Sequence, residues 1–353
     1  MLKTLQQHYY NLHQIPELND HLPKTQAYIL KHLPQCEITI IEKGGILAYF
    51  NNHQKETIAF RAEMDALPIQ ETNDISYISK HPNTMHACAH DAHMAILLTL
   101  ANHLPNNCTN NVLFIFEYAE ETYGGAKQII NHPKYNPTSI YTIHIWPNLP
   151  KHQLLTNNHL MATSCEVKII IHGEGGHIAT KEQYIDTNRI ACELYNQATL
   201  QFPDFFIRFG IIKGGNAPNI IPNQTLLHGT IRSLTPQNID FAKQYLWKLA
   251  TLYMMRYSNI IEITFNEGYP AIRNSQHIID QTKNIIPELQ IKPVSYFTTD
   301  SFAYYLQNTP GLYTLLGTGD TTPLHASNFI VPLEILETGY QFYYRILMAV
   351  ADQ

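Results

Sequence analysis

The chain has 353 residues, 23 Lys and Arg against 29 Asp and Glu, a formal net charge of -6, and only 15% charged residues. It shows no cluster of Lys or Arg and no apolar run long enough for a bilayer, so nucleic acid and membrane are excluded as expected partners and a small molecule is favoured. A chain of this length usually splits its core, and 44% apolar residues suit two ordinary globular domains. Five cysteines, Cys36, Cys88, Cys108, Cys165 and Cys192, are odd in number and show no paired spacing. The polar, amphipathic stretch 1–14 lacks the apolar core of a secretion signal. Both features predict reduced thiols in a cytoplasmic protein.

Lys3 to Ile15 carries apolar and aromatic positions at helical spacing and stops at Pro16, which predicts an opening helix. Short β-type runs follow at Glu37 to Ile41, Gly45 to Phe50 and Thr57 to Met64, the last leading into Asp65 and a Pro-bearing loop. A carboxylate at a strand end sits where α/β sheets place their chemistry, although taken alone such an Asp is more often a loop cap. Met85 to His93 packs three histidines, a cysteine and an aspartate into nine positions. Cys88 and His90 are two apart and, on extended backbone, point the same way; thiolate and imidazole suit zinc and its first-row neighbours. Asp91 is expected to cap a helix with its apolar face at Met94, Leu97, Leu98 and Leu100.

Asn111 to Phe116 reads as a buried strand that opens into Glu117, Tyr118, Ala119, Glu120 and Glu121, before Gly124-Gly125 starts another helix. Of two adjacent carboxylates at a strand mouth, one can hold a metal while the other moves a proton; alone, the pair would pass for a solvated turn. Ser139 to Ile145 is a further strand with His144 near its end. The alternation up to Pro150 predicts an α/β domain with a largely parallel sheet flanked by helices. From 164 to 272 the order becomes strand, helix, two strands, helix, strand, an inserted ferredoxin-like α+β module. The remainder, 273–353, supplies two helices and the strand Gly311 to Gly317, then Leu324-His325, and should return to the first sheet. The expected domains are thus 1–163 and 273–353 together, split by 164–272.

Cys88, His90, Glu121, His144 and His325 all fall at strand ends or loops of one presumptive sheet. Five ligands exceed the needs of one tetrahedral metal, so two metals are expected, with the Cys88 thiolate as bridge. The chain resembles the amidohydrolase branch of the aminoacylase and co-catalytic metallopeptidase group, which includes hippurate hydrolases, auxin-amino-acid hydrolases and N-acetyldiaminopimelate deacetylases. The resemblance spans nearly the whole chain: His13 to Leu18, Arg61 to Ile69, Met85 to His93, Ala119-Glu120-Glu121, His144 to Pro147, Gly175-Gly176-His177, Asn219 to Pro222, Gly229 to Arg232, Phe302 to Leu306 and Leu324-His325. It departs at Ala89, where Gly is usual, at Glu63 for Asp, at Glu117 for Gln, and at Asp300-Ser301 for Glu-Asp.

The resemblance implies two divalent ions, zinc, manganese, cobalt or nickel, on Cys88, His90, Glu121, His144 and His325, with Glu120 as general base and Asp65 as a supporting catalytic aspartate. It further implies that the insertion is a lid and dimerisation domain making a homodimer, that His177 stabilises the transition state, and that Asn219 and Arg232 meet the substrate. The implied reaction is hydrolysis of N-acyl amino acids to a carboxylic acid and a free amino acid. A narrower alternative is removal of acetyl from N-acetyldiaminopimelate, to which Lys181-Glu182-Gln183, Glu267 to Pro270 and Asn274-Ser275 are similar; His144 to Pro147 is closer to the broad hydrolases. A non-catalytic binding protein on the same fold would be expected to lack Glu120 or a ligand, and all are present.

Overall fold

Every residue of the strand Thr57–Glu63 is buried, without the alternation of a half-exposed strand. That is the signature of a strand with parallel neighbours and both faces covered. In the computed structural model, which describes residues 1–105, 108–180, 185–200 and 202–349, it lies between Asn111–Glu117 and Ser139–Trp146, parallel to both. Gly311–Gly317 extends the parallel run beyond Ser139–Trp146, so the expected return of the C-terminal segment to the first sheet is met. The full eight-stranded order is Glu37–Ile40, Ile46–Phe50, Asn111–Glu117, Thr57–Glu63, Ser139–Trp146, Gly311–Gly317, Leu154–Thr156, Gln290–Ile291. Its outer pairings include antiparallel ones, making the sheet mixed with a parallel centre. Parallel strands present their C-terminal ends at one edge, which is what gathers the site.

Helix His90–Ala101 packs against this sheet and against helices Leu2–His13 and Leu333–Ala349. The apolar stripe expected on it understates its burial, because all of its residues are buried. A helix apolar on every side belongs in a core. Asp91 is not its cap: the N-cap is Ala89, and Asp91 sits inside the first turn with one carboxylate oxygen on His13. Helix Pro23–His32 and strand Leu154–Thr156 were not anticipated. Among the described residues no helix is long and apolar enough to cross a membrane.

The chain forms two compact units, Met1–Leu160 with Arg273–Val294 and Asp300–Gln353, and Met161–Ile272 with Ser295–Thr299. The second holds four antiparallel strands in the order Phe205–Gly214, Gln224–Ser233, Thr163–His172, Ile260–Glu267, with helices Thr187–Ala198 and Pro236–Tyr257. Cys165, Val167, Ile169 and Ile171 alternate inward along its central strand and join Leu194, Leu227, Leu246 and Ile263 in a separate core. This is the ferredoxin-like arrangement expected of the insertion. Gly229 permits a close approach to the neighbouring strand, since a Cβ there would lie 1.9 Å from the Arg208 carbonyl oxygen. Lys181-Glu182-Gln183 lies outside the described residues.

Candidate active site

At the C-terminal edge of the parallel strands, Asp65 follows Thr57–Glu63, Glu120 and Glu121 follow Asn111–Glu117, and His144 stands near the end of Ser139–Trp146. Cys88 and His90 enter at the start of helix His90–Ala101, and the His325 amide donates to the Ala87 carbonyl at 2.8 Å, tying that loop to the Cys88 segment. Ligand atoms of Cys88, His90 and His144 lie within 4.8 Å of one another, as do those of Cys88, Glu121 and His325, and those of His90, Glu120 and Glu121. The five expected ligands therefore converge, although they are spread along the chain from Cys88 to His325.

The histidine tautomers suit ligation. His90 Nδ1 donates to the Asp65 carbonyl at 2.7 Å and His144 Nδ1 to the Ile145 carbonyl at 2.8 Å, leaving each Nε2 with its lone pair turned into the cluster. His144 Nε2 stands 3.7 Å from Cys88 Sγ. Burial drops His144 to a pKa of about 3, so its imidazole is neutral. His90 Nε2 and Glu121 Oε1 are buried without a hydrogen-bond partner. Such orphaned atoms are costly unless something ligates them. Burial, then the Glu121 and Glu120 carboxylates, pushes the Cys88 thiol well up. A sulfur, the neutral His144 imidazole, the His90 imidazole with its Nε2 turned inward, and paired carboxylates, in a pocket negative enough to hold protons on a thiol, fit divalent cations of the zinc type.

The turn that carries the carboxylates is braced from below. Asp65 accepts the amides of Glu120 and Glu121, one on each oxygen, both at 3.0 Å. Burial lifts Asp65 to a pKa of about 7 despite these donors. Burial, then the Asp300 and Glu121 carboxylates, raises Glu120 well above the ordinary range. Glu121 goes the other way: burial opposes it, but His325 and His90 hold it down to about 2. Two adjacent glutamates are thus driven apart, one ready to hold a proton and the other a standing anion. Ala89, Ala119 and His325 have positive φ, 65°, 55° and 68°. The left-handed region costs a residue with a Cβ about 1–2 kcal/mol, and here it aims the groups on either side of each turn.

Next to this cluster lies a buried polar network that joins Arg61 to Glu63, Glu117 and Asp300-Ser301, residues that the sequence marked only as a motif start and as departures from the family pattern. Arg61 Nε donates to Glu117 Oε2 at 2.8 Å, Nη1 to Glu63, and Nη2 to Ser301 Oγ at 2.7 Å. Asp300 Oδ1 stands 3.3 Å from Nη2. His93 donates through Nδ1 to Glu63 at 2.8 Å and accepts the Ile145 amide on Nε2 at 3.0 Å. With both ring nitrogens engaged, His93 acts as a strut, though it lies near Glu63 and His144 in a ligand-like group. An Arg and a Glu inside a wholly buried apolar strand were the available signal. Nothing local connected either to Ser301.

His177, Asn219 and Arg232 belong to the second unit. His177 is exposed, pairs with Ile220 across a short antiparallel ladder, and is followed by Ile178, whose amide donates to the Asn219 carbonyl at 3.1 Å. Arg232 is half-buried, with Nη1 donating to Thr299 Oγ1 at 2.6 Å.

The sequence model of Peptidase family M20/M25/M40 matches residues 59–349, and the chain belongs to this family of hydrolases. An uncharacterized hydrolase of Staphylococcus haemolyticus is 30% identical over 382 aligned positions, covering 100% of this chain and 99% of the relative. Among solved structures, the Bacillus subtilis YXEP protein, described as a dinuclear metal binding peptidase of the M20 family, superposes with a TM-score of 0.84 at 24% identity, covering 100% of this chain and 98% of that one. The aminobenzoyl-glutamate utilization protein of Klebsiella pneumoniae does so with a TM-score of 0.71 at 13% identity, over 98% and 96% of the two chains. The protein is therefore a hydrolase of the M20 fold, acting on amide or peptide bonds, with groups suited to a dinuclear metal centre.

Proposed function

We propose that the protein is a metal-dependent amidohydrolase that splits N-acyl amino acids into a carboxylic acid and a free amino acid. The observation that carries this reading is the convergence of Cys88, His90, Glu121, His144 and His325, with orphaned ligand atoms, beside a Glu120 of raised proton affinity. Two divalent metals fit these five residues, with Cys88 common to two of the ligand groups, and would supply Lewis acidity to water and to the amide carbonyl. The dinuclear description of the B. subtilis neighbour supports the same count.

Glu120 takes the proton from the attacking water and delivers it to the leaving nitrogen. Its raised affinity suits both halves of that transfer, because a carboxylate that holds a proton too weakly is a poor base. Asp65 keeps the Glu120-Glu121 turn in register through the two amides. By resemblance, His177 steadies the tetrahedral oxyanion, Asn219 and Arg232 engage the substrate, with the guanidinium suited to a carboxylate, and the second unit joins two subunits of a cytoplasmic homodimer.

The test is a panel of acetyl, benzoyl and longer acyl amino acids, N-acetyldiaminopimelate among them, set against dipeptides and tripeptides, with metal-reconstituted protein. Release of the free amino acid from several N-acyl substrates is expected. Turnover of N-acetyldiaminopimelate alone would select the narrower deacetylase, and turnover of peptides alone would refute the N-acyl assignment. Glu120→Gln should lose about 10²- to 10⁴-fold in rate with metal content retained.

A further inference from the structure

We propose that Ser301 is a positioning residue that holds Glu120 in its proton-transfer geometry, through a buried bracket formed with Arg61 and Glu117. This rests on the assignment of Glu120 as the base. The Ser301 amide donates to Glu120 Oε1 at 3.3 Å. That bond is long, so a small shift of the Ser301 backbone is enough to break it. The backbone is held by its carbonyl, which accepts the Tyr304 amide at 3.0 Å, and by the hydroxyl, which accepts Arg61 Nη2 at 2.7 Å and donates to Glu117 Oε1 at 2.7 Å.

The bracket is rigid at its other end too. Glu117 also accepts the Ala126 amide at 2.8 Å and the Tyr305 hydroxyl at 3.2 Å, and Asp300 accepts the Phe302 amide at 2.7 Å and the Tyr313 hydroxyl at 2.8 Å. Arg61, Ser301 and Glu117 are all wholly buried, so water cannot replace a lost partner. Only a hydroxyl on a short side chain can bridge a guanidinium and a carboxylate in this way while leaving its own amide turned toward Glu120. Removing it leaves Arg61 Nη2 with Asp300 at 3.3 Å, takes one donor from Glu117, and removes the side-chain tie on the Ser301 backbone, leaving the carbonyl on the Tyr304 amide. A displacement of about 1 Å at a catalytic group can cost about 10²-fold in rate. Ser301 contacts none of the five proposed metal ligands in these hydrogen bonds, so the loss should fall on the chemical step and spare metal binding.

The experiment compares Ser301→Ala, Ser301→Thr and the near-isosteric Ser301→Cys as metal-loaded protein, reading kcat, KM, metal stoichiometry and melting temperature. Ser301→Ala should lose about 10- to 100-fold in kcat with KM within about twofold of wild type and metal content unchanged. Ser301→Thr, which keeps the hydroxyl, should recover most of the rate. If Ser301→Ala does not fold, Ser301→Cys carries the same expectation, since a thiol is a weak donor and acceptor. Wild-type kcat in Ser301→Ala or Ser301→Cys overturns the proposal. So does a loss of rate accompanied by lost metal or a rise in KM, or one that Ser301→Thr shares. Glu120→Gln in the same assay separates the two claims: wild-type turnover there removes Glu120 as base, whatever Ser301 does.

Discussion

Replacing His13 with Gln should remove a charge that fastens the first helix to the segment carrying Cys88 and His90, with a pH signature that can be worked out. His13 ends helix Leu2–His13, is 1% exposed, and donates through Nδ1 to Asp91 Oδ2 at 2.6 Å and through Nε2 to Glu71 Oε1 at 3.0 Å. Only an imidazolium can donate from both nitrogens. Burial alone would lower its pKa, but the Asp91 and Glu71 carboxylates outweigh it and lift the value to about 9 from 6.5. At about 1.4 kcal/mol per unit, that difference is about 3 kcal/mol of stability. Because the folded value is the raised one, the contribution is fully present below about pH 6.5 and is lost as pH rises through about 9. Urea unfolding of wild type and His13→Gln at pH 6 and pH 9.5 measures it. The stability difference between the two proteins should shrink by about 3 kcal/mol between those pH values, other titrating groups cancelling in the comparison. A difference that stays constant across that window would show that His13 is not held as a cation.

Cys88→Ser should sharply reduce both bound metal and activity; full metal content and rate would return Cys88 to the role of a core thiol. Ala89→Gly should relieve the left-handed strain at φ 65° at the cost of a freer unfolded chain, a net gain of about 0.5–1 kcal/mol in chemical denaturation with metal content unchanged. No gain, or a loss, would mean that Ala89 is not strained. Mixing His177→Ala with Glu120→Gln subunits should restore part of the activity if the homodimer shares His177 between subunits, whereas a monomer with full activity in sedimentation would refute the sharing.

The longer sheet strands could be read from the sequence because their signal is local, whereas the short edge strands Leu154–Thr156 and Gln290–Ile291 carry too few residues to show one. Asn111–Glu117 and Gly311–Gly317 are largely apolar runs, Thr57–Glu63 is one interrupted by Arg61, and the alternation of Cys165, Val167, Ile169 and Ile171 marks the other kind of sheet. The candidate ligands were legible for a related reason, since the clustering of His, Cys and acidic residues at strand ends and loops is a chemical pattern that does not need coordinates. Asp91 shows the limit. A lone Asp ahead of an apolar run looks like a helix cap, and only the meeting with His13, far away in the chain, turned it into half of a buried ion pair.

What the chain determines by itself is therefore which segments become strands and helices, since periodicity and turn residues act over a few positions, and which side chains can ligate a metal. What only the tertiary structure decides is how charges share a buried space. Arg61 and Ser301 are separated by 240 positions, yet their bond helps to set where Glu120 points. Whether Glu120 or Glu121 holds the proton depends on Asp300, His325 and His90, which reach them through packing. Electrostatic energies in a low-dielectric interior depend on distance in space, and the order of residues along the chain carries no record of that distance until the sheet has closed.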